Sequence, residues 1–173
     1  MASNNLKMIV FDLDRTLWQV RVDKEVTPPF KRNSNGVVVD SCNYEIGYYP
    51  QVPQILQKLY DEEYTLGVAS RISETKGARQ LLQLFGWDKY FSYLEIFPGK
   101  KTKHFNNLKK QSGIDFEEML FFDDRLRNIQ DVSALGVVSV FVKNGVNKSV
   151  IEEGKQQFVA GLKTSVVNNR NSI

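Results

Sequence analysis

One cysteine and one histidine are all that 173 residues offer of the side chains most used for disulfides, thiolate chemistry and transition metals. With Cys42 alone, no intramolecular disulfide and no cysteine metal cluster can form. A Ser-His-Asp triad could draw only on His104. No apolar run approaches a membrane span, and the polar start Met1-Ala2-Ser3-Asn4-Asn5 does not read as a secretory signal. Long blocks of like charge are missing too. The net charge of +3 is too small to argue for nucleic acid, although it suits an anionic substrate. Repeats and low-complexity linkers are absent. The expectation is a soluble cytoplasmic monomer with no membrane or nucleic-acid partner.

What is present is an ordinary globular composition, 42% apolar, in a chain of one-domain length. One domain is expected over residues 1–165, followed by a disordered Asn-rich tail, 166–173. The chain centres on Met8-Ile9-Val10-Phe11-Asp12-Leu13-Asp14-Arg15-Thr16-Leu17-Trp18. An apolar run entering two carboxylates reads as a strand buried on both faces, with its carboxyl end at a ligand-binding rim. Carboxylates at i and i+2 point the same way on a regular strand and repel. A cation or protonation of one acid relieves that repulsion. Mg²⁺ suits such oxygen ligands.

Further strands are expected at 66–69, 93–97, 119–122 and 137–142, and helices at 52–60, 73–85, 103–112, 128–135 and 150–162. Strand and helix alternate, which predicts a three-layer α/β/α, Rossmann-like parallel sheet with right-handed crossovers. Residues 19–50 interrupt the alternation with Pro28-Pro29 and the turn signal Asn33-Ser34-Asn35-Gly36. Runs 37–40 and 45–49 could form a hairpin, making this insert a small flap beside the rim.

Four strands end in polar residues: Asp12 and Asp14, Ser70, Lys101 after Pro98-Gly99, then Asp123 and Asp124. Acids, a hydroxyl and an amine are thereby placed on one rim. Asp12-Leu13-Asp14-Arg15-Thr16-Leu17 resembles the D-x-D-x-T-L signature of haloacid dehalogenase (HAD) phosphatases. With the following Trp18, it is most similar to the magnesium-dependent phosphatase 1 family. Ala69-Ser70-Arg71, Phe97-Pro98-Gly99-x-Lys101 and Phe121-Phe122-Asp123-Asp124-x-x-x-Asn128 extend that resemblance in order over most of the chain.

The resemblance implies a HAD-like fold with a minimal cap and Mg²⁺-dependent phosphomonoester hydrolysis. Asp12 is the expected nucleophile, forming an aspartyl-phosphate, and Asp14 the general acid and then base. Mg²⁺ would be held by Asp12, the Asp14 backbone carbonyl and Asp124, with Asp123 behind on Lys101. The two adjacent acids could exchange roles, and Asp124 could instead cap a helix. Lys101, favoured over Lys100 by the Pro-Gly-x-Lys spacing, offsets phosphoryl charge. Ser70, otherwise a helix N-cap, and Arg71 bind phosphoryl oxygens. Trp18, Arg21 and the flap select the leaving group, with Tyr48 and Tyr49 as further candidates. His104 receives no catalytic step. The family implies phosphotyrosine and sugar phosphates such as fructosamine phosphates as substrates. Rival readings are a phosphotransferase, a catalytically silent phosphate-binding module and a response-regulator-like receiver. The intact acids and lysine oppose silence, and two acids after the first strand fit a receiver poorly.

Overall fold

The computed structural model describes residues 5–161 and 164–165; the expected tail at 166–173 lies outside them. In chain order the elements are β1 Met8–Phe11, β2 Lys31–Arg32, β3 Val38–Val39, α1 Val52–Asp61, β4 Thr65–Ser70, α2 Thr75–Leu84 and β5 Tyr93–Ile96. Then follow α3 Lys101–Ser112, β6 Met119–Asp123, α4 Leu126–Ser133, β7 Val138–Phe141, α5 Lys148–Val159 and β8 Thr164–Ser165.

The main sheet runs β5-β4-β1-β6-β7-β8 with every neighbouring pair parallel. This is the predicted α/β class, with one short edge strand beyond the five expected. Side chains alternate between two apolar clusters, as strand geometry requires. Ile9, Phe11, Leu66, Val68, Leu120 and Phe122 face one cluster with α1, α2 and α5, represented by Leu56, Leu81 and Ile151. Met8, Val10, Met119 and Phe121 face the other, with Phe105 and Leu108 of α3 and Ile129 and Val132 of α4. Each fully buried side chain of this kind contributes roughly 1.5–3 kcal/mol. The layers hold because both faces of every central strand are covered.

Strand β1 is the pivot of the site. Phe11 pairs in register with Val68 on one side and Phe122 on the other, so the ends of β4, β1 and β6 lie abreast. The chain winds outward from β1 through β4 and β5, then returns to β6 and winds the other way. That reversal is the topological switch point where an open sheet leaves a crevice.

Several helix bounds shift by two residues, α4 starting at Leu126 rather than 128 and α5 at Lys148 rather than 150; the differences in α3 and in the insert matter more. Helix α3 begins at Lys101 rather than at 103, which brings the lysine into its first turn. Gly113 ends that helix in the left-handed conformation, φ 71°. In the insert, the hairpin pairs Lys31 and Arg32 with Val39 and Val38, across a turn in which Asn33 Oδ1 accepts from the Asn35 and Val37 amides. The expected 37–40 with 45–49 pairing is reduced to one bridge, Val39 to Glu45. Exposed Lys31 and Arg32 carry no apolar alternation, so the actual partner strand gave no signal.

The insert is also no loose lid. Val20, Val22, Val26, Phe30, Val38 and Ile46 are buried in the main core. Asp40 ties two segments within it, accepting from the amides of Thr27, Cys42 and Tyr44.

Candidate active site

Strand β1 stops at Phe11, and the next residues form a tight loop in which the Thr16 and Leu17 amides donate to the Leu13 carbonyl. Arg15 takes φ 61° to close it. The regular i, i+2 strand geometry is therefore broken, and Asp12 and Asp14 acquire separate anchors.

Asp12 is nearly buried. Its Oδ1 accepts from Lys101 Nζ at 2.9 Å and its Oδ2 from Thr16 Oγ1 at 3.2 Å. Burial pushes its pKa up to about 6, with Lys101 pulling it down and Asp124 adding to the rise. Lys101 is fully buried, yet also donates to Asp123 Oδ2 at 2.8 Å and to the Ala69 carbonyl. Burial alone would push its ammonium down; Asp12 and Asp123 outweigh that and hold it above its ordinary value. The side chain closes the sheet end like a rivet between β1, β4 and β6.

Asp14 stands apart. Trp18 Nε1 donates to its Oδ1 at 2.8 Å, and the Val22 amide reaches both carboxylate oxygens at 3.3 Å. Burial pushes its pKa up to about 7, with the Trp18 hydrogen bond working against the rise. Trp18 is completely buried and does not line the pocket. Its expected contact with substrate is corrected accordingly: it orients Asp14 from behind. Tyr48 packs edge-on against Phe85 and Trp87, and neither Tyr48 nor Tyr49 lines the pocket.

Ser70 is buried at the end of β4, where its Oγ accepts from the Ile72 amide at 3.3 Å. It does not cap α2. That helix is capped by Glu74, whose side chain accepts from Gly77. Asp124 caps nothing either, since Arg125 holds the N-cap position of α4 without a side-chain bond. Asp123 receives Lys101 Nζ, Asn128 Nδ2 at 3.0 Å and the Arg125 amide at 2.8 Å. Asn128 accepts in turn from Arg71 Nη1 at 3.4 Å.

A cavity of about 200 Å³ opens over this floor, lined by Asp12, Asp14, Ser70, Arg71, Lys101 and Asp124. Arg21 lies on its wall as expected. Sequence reasoning missed Asp23, Lys24 and Arg125 on the same wall, because exposed charges in loops show no periodicity. It also left Thr16 and Asn128 without roles, though both stand in the quoted motifs. His104 is buried beneath the rim and stacked on Phe97 at 3.9 Å. Its Nε2 lies 2.8 Å from the Ser70 carbonyl and 2.7 Å from that of Phe97, binding the ends of β4 and β5 together. Its pKa is lowered, chiefly by burial. No catalytic step falls to it.

Carboxylate oxygens of Asp12, Asp123 and Asp124 lie within 4.8 Å of one another. Three acids so close, with Asp12 and Asp124 both raised above their ordinary values chiefly by burial, form an oxygen-rich site that fits Mg²⁺. A raised folded-state pKa means that, without metal, Asp12 contributes stability below about pH 4. That contribution is lost as the pH rises through about 6. Mg²⁺ needs the ionised carboxylates, so its stabilisation grows over the same range. At 100 times its pH 8 Kd, Mg²⁺ should raise Tm by about 5–10 °C at pH 8, and the same concentration should raise it clearly less at pH 5. Equal gains by thermal melting at both pH values would place the metal elsewhere.

Residues 5–160 match the acid phosphatase family over most of the chain. The chain belongs to that family. Human magnesium-dependent phosphatase 1 is 45% identical over 152 residues, 88% of this chain and 86% of that protein. A HAD-like hydrolase superfamily protein of Schizosaccharomyces pombe is 41% identical over 154 residues, 82% and 89% of the two chains. Among solved structures, a HAD-superfamily hydrolase from Geobacter sulfurreducens superposes with TM-score 0.62 at 16% identity, covering 90% of this chain and 98% of that one. The phosphatase domain of a Bacteroides fragilis protein, solved with Mg, gives TM-score 0.58 at 15% identity, covering 92% of this chain and 40% of that one. At such identities the structural likeness speaks to fold alone. The family and these two relatives make this acid phosphatase family member a phosphatase of HAD type, with an acid cluster that could hold a metal ion. Among the described residues no helix is long and apolar enough to cross a membrane.

Proposed function

We propose that the enzyme hydrolyses phosphomonoesters in two displacements, carrying the phosphoryl group on Asp12 between them. The observation that supports this most is the division of labour between the two acids. Asp12 is fixed by Lys101 and Thr16, and Asp14 is separately anchored by Trp18 and Val22 on the same cavity.

In the first displacement an Asp12 oxygen attacks phosphorus, and the bond from phosphorus to the ester oxygen breaks. Asp14, with its pKa near 7, gives its proton to that leaving oxygen. In the second, Asp14 as carboxylate takes a proton from water while the water oxygen attacks phosphorus. The bond to Asp12 breaks, and phosphate and both acids are restored. Ser70 Oγ–H and Arg71 hold phosphoryl oxygens, Arg21 faces the leaving group, and buried Lys101 offsets charge on Asp12 throughout.

The metal would rest on Asp12, Asp124 and the backbone carbonyl of Asp14. It supplies charge neutralisation for the phosphoryl oxygens when bound. Asp124 is the better ligand because Asp123 already accepts three hydrogen bonds. Asp123 then acts through Lys101. Phosphotyrosine and small sugar phosphates, fructosamine phosphates included, are the proposed substrates, supported by an open cavity with cationic walls. The enzyme is proposed to act as a cytoplasmic monomer with one catalytic domain over 1–165.

Turnover of p-nitrophenyl phosphate with and without Mg²⁺ tests this reading. Release of p-nitrophenol in Mg²⁺, lost in EDTA and restored by added metal, is expected. No release from the Mg²⁺-loaded protein would favour a silent phosphate-binding module.

A further inference from the structure

Four cationic side chains on the cavity wall have no ion-pair partner among the described residues: Arg21, Lys24, Arg71 and Arg125. They rise from the loops after β1, β4 and β6, and so surround the mouth. Arg21 and Lys24 belong to one turn, closed by the Lys24 amide on the Arg21 carbonyl at 3.1 Å. Arg15, a neighbour on the same wall, differs in being paired with Glu25.

By formal charge the floor beneath them balances without them, although Arg125 also acts on Asp124. Asp12, Asp123 and Asp124 carry three negative charges, and Lys101 with one Mg²⁺ cancels them. Of the acids remaining on the wall, Asp14 is the proton donor and Asp23, held by Ser73 Oγ at 3.2 Å, is the single fixed anion. A phosphoryl dianion and Asp23 together leave one of the four cations unmatched. An ester with a neutral leaving group leaves the lip positive.

Resting on the hydrolytic reading above, we propose that among such substrates the enzyme prefers small phosphomonoesters whose leaving group bears a second anion. That anion, a carboxylate or another phosphate, is seated by Lys24 and Arg125 with Arg21 beside them. The cavity of about 200 Å³ is smaller than the ~300–1,000 Å³ typical of drug-sized ligand sites. The second anion therefore lies only a few bonds from the phosphorus.

Matched substrates test this with the Mg²⁺-loaded enzyme. Glycerol 3-phosphate against 3-phosphoglycerate adds a carboxylate to a primary phosphate ester. Glucose 6-phosphate against glucose 1,6-bisphosphate adds a phosphate. At low salt the doubly anionic member of at least one pair should show about five- to tenfold higher kcat/KM, as expected for several partly exposed charge contacts. The advantage should shrink in high salt and fall toward one in Lys24→Gln/Arg125→Gln. An advantage confined to one pair supports the proposal and names the group. Ratios near one for both pairs, or an advantage that survives the double replacement, overturn it. Failure to hydrolyse p-nitrophenyl phosphate would instead overturn the hydrolytic reading beneath it.

Discussion

Asp12→Asn is expected to lower kcat for p-nitrophenyl phosphate by about 10³-fold or more, the scale on which loss of a nucleophile acts. The replacement nearly preserves shape, and its amide oxygen can still accept from Lys101 or Thr16. Lys101 keeps Asp123, so the ammonium is not stranded. Loss of a carboxylate from the cluster with Asp123 and Asp124 also relieves repulsion. The variant should therefore melt near the wild-type temperature and still bind inorganic phosphate. A folded Asp12→Asn protein retaining a tenth or more of wild-type kcat would contradict the assignment.

The second large effect belongs to Lys101→Met, which should abolish activity and destabilise the fold together. The ammonium is fully buried, and its removal leaves Asp12, Asp123 and the Ala69 carbonyl without their shared donor. Breaking a buried ion pair by deleting one partner costs about 3–5 kcal/mol. The loss should be largest at pH 8. It should ease toward pH 5, where carboxylates pushed up by burial take protons. Lys100→Met is the control: Lys100 is exposed at the N-cap position, and a change within about 0.5 kcal/mol is expected. Urea unfolding at the two pH values reads both variants. Wild-type stability of Lys101→Met at pH 8 would show that the ammonium does not hold the sheet ends.

Most of the fold was legible because parallel strands buried on both faces leave compact apolar runs, and here those runs end in the site residues. The same regularity brought Asp12, Ser70, Lys101 and Asp124 onto one cavity. Trp18 was misread because sequence gives an aromatic's proximity to a motif without its direction; the tight turn after Asp12 sends its indole inward onto Asp14. The anchoring of the insert in the core went unread because its buried residues, such as Val22 and Phe30, follow neither a strand nor a helix period. The resemblance placed Asp124 ahead of Asp123 as the metal ligand but left their exchange open. The three donors on Asp123 make the difference between them a matter of hydrogen bonding.

Everything proposed for this site turns on passage of the phosphoryl group through Asp12. Acid quenching during steady-state turnover, followed by mass spectrometry of the proteolysed enzyme, tests it most directly. An acid-stable, alkali-labile phosphoryl adduct is expected on the peptide carrying Asp12, absent from Asp12→Asn. An adduct on any other residue, or an unmodified Asp12 peptide in an enzyme shown to burst with p-nitrophenol, would contradict it.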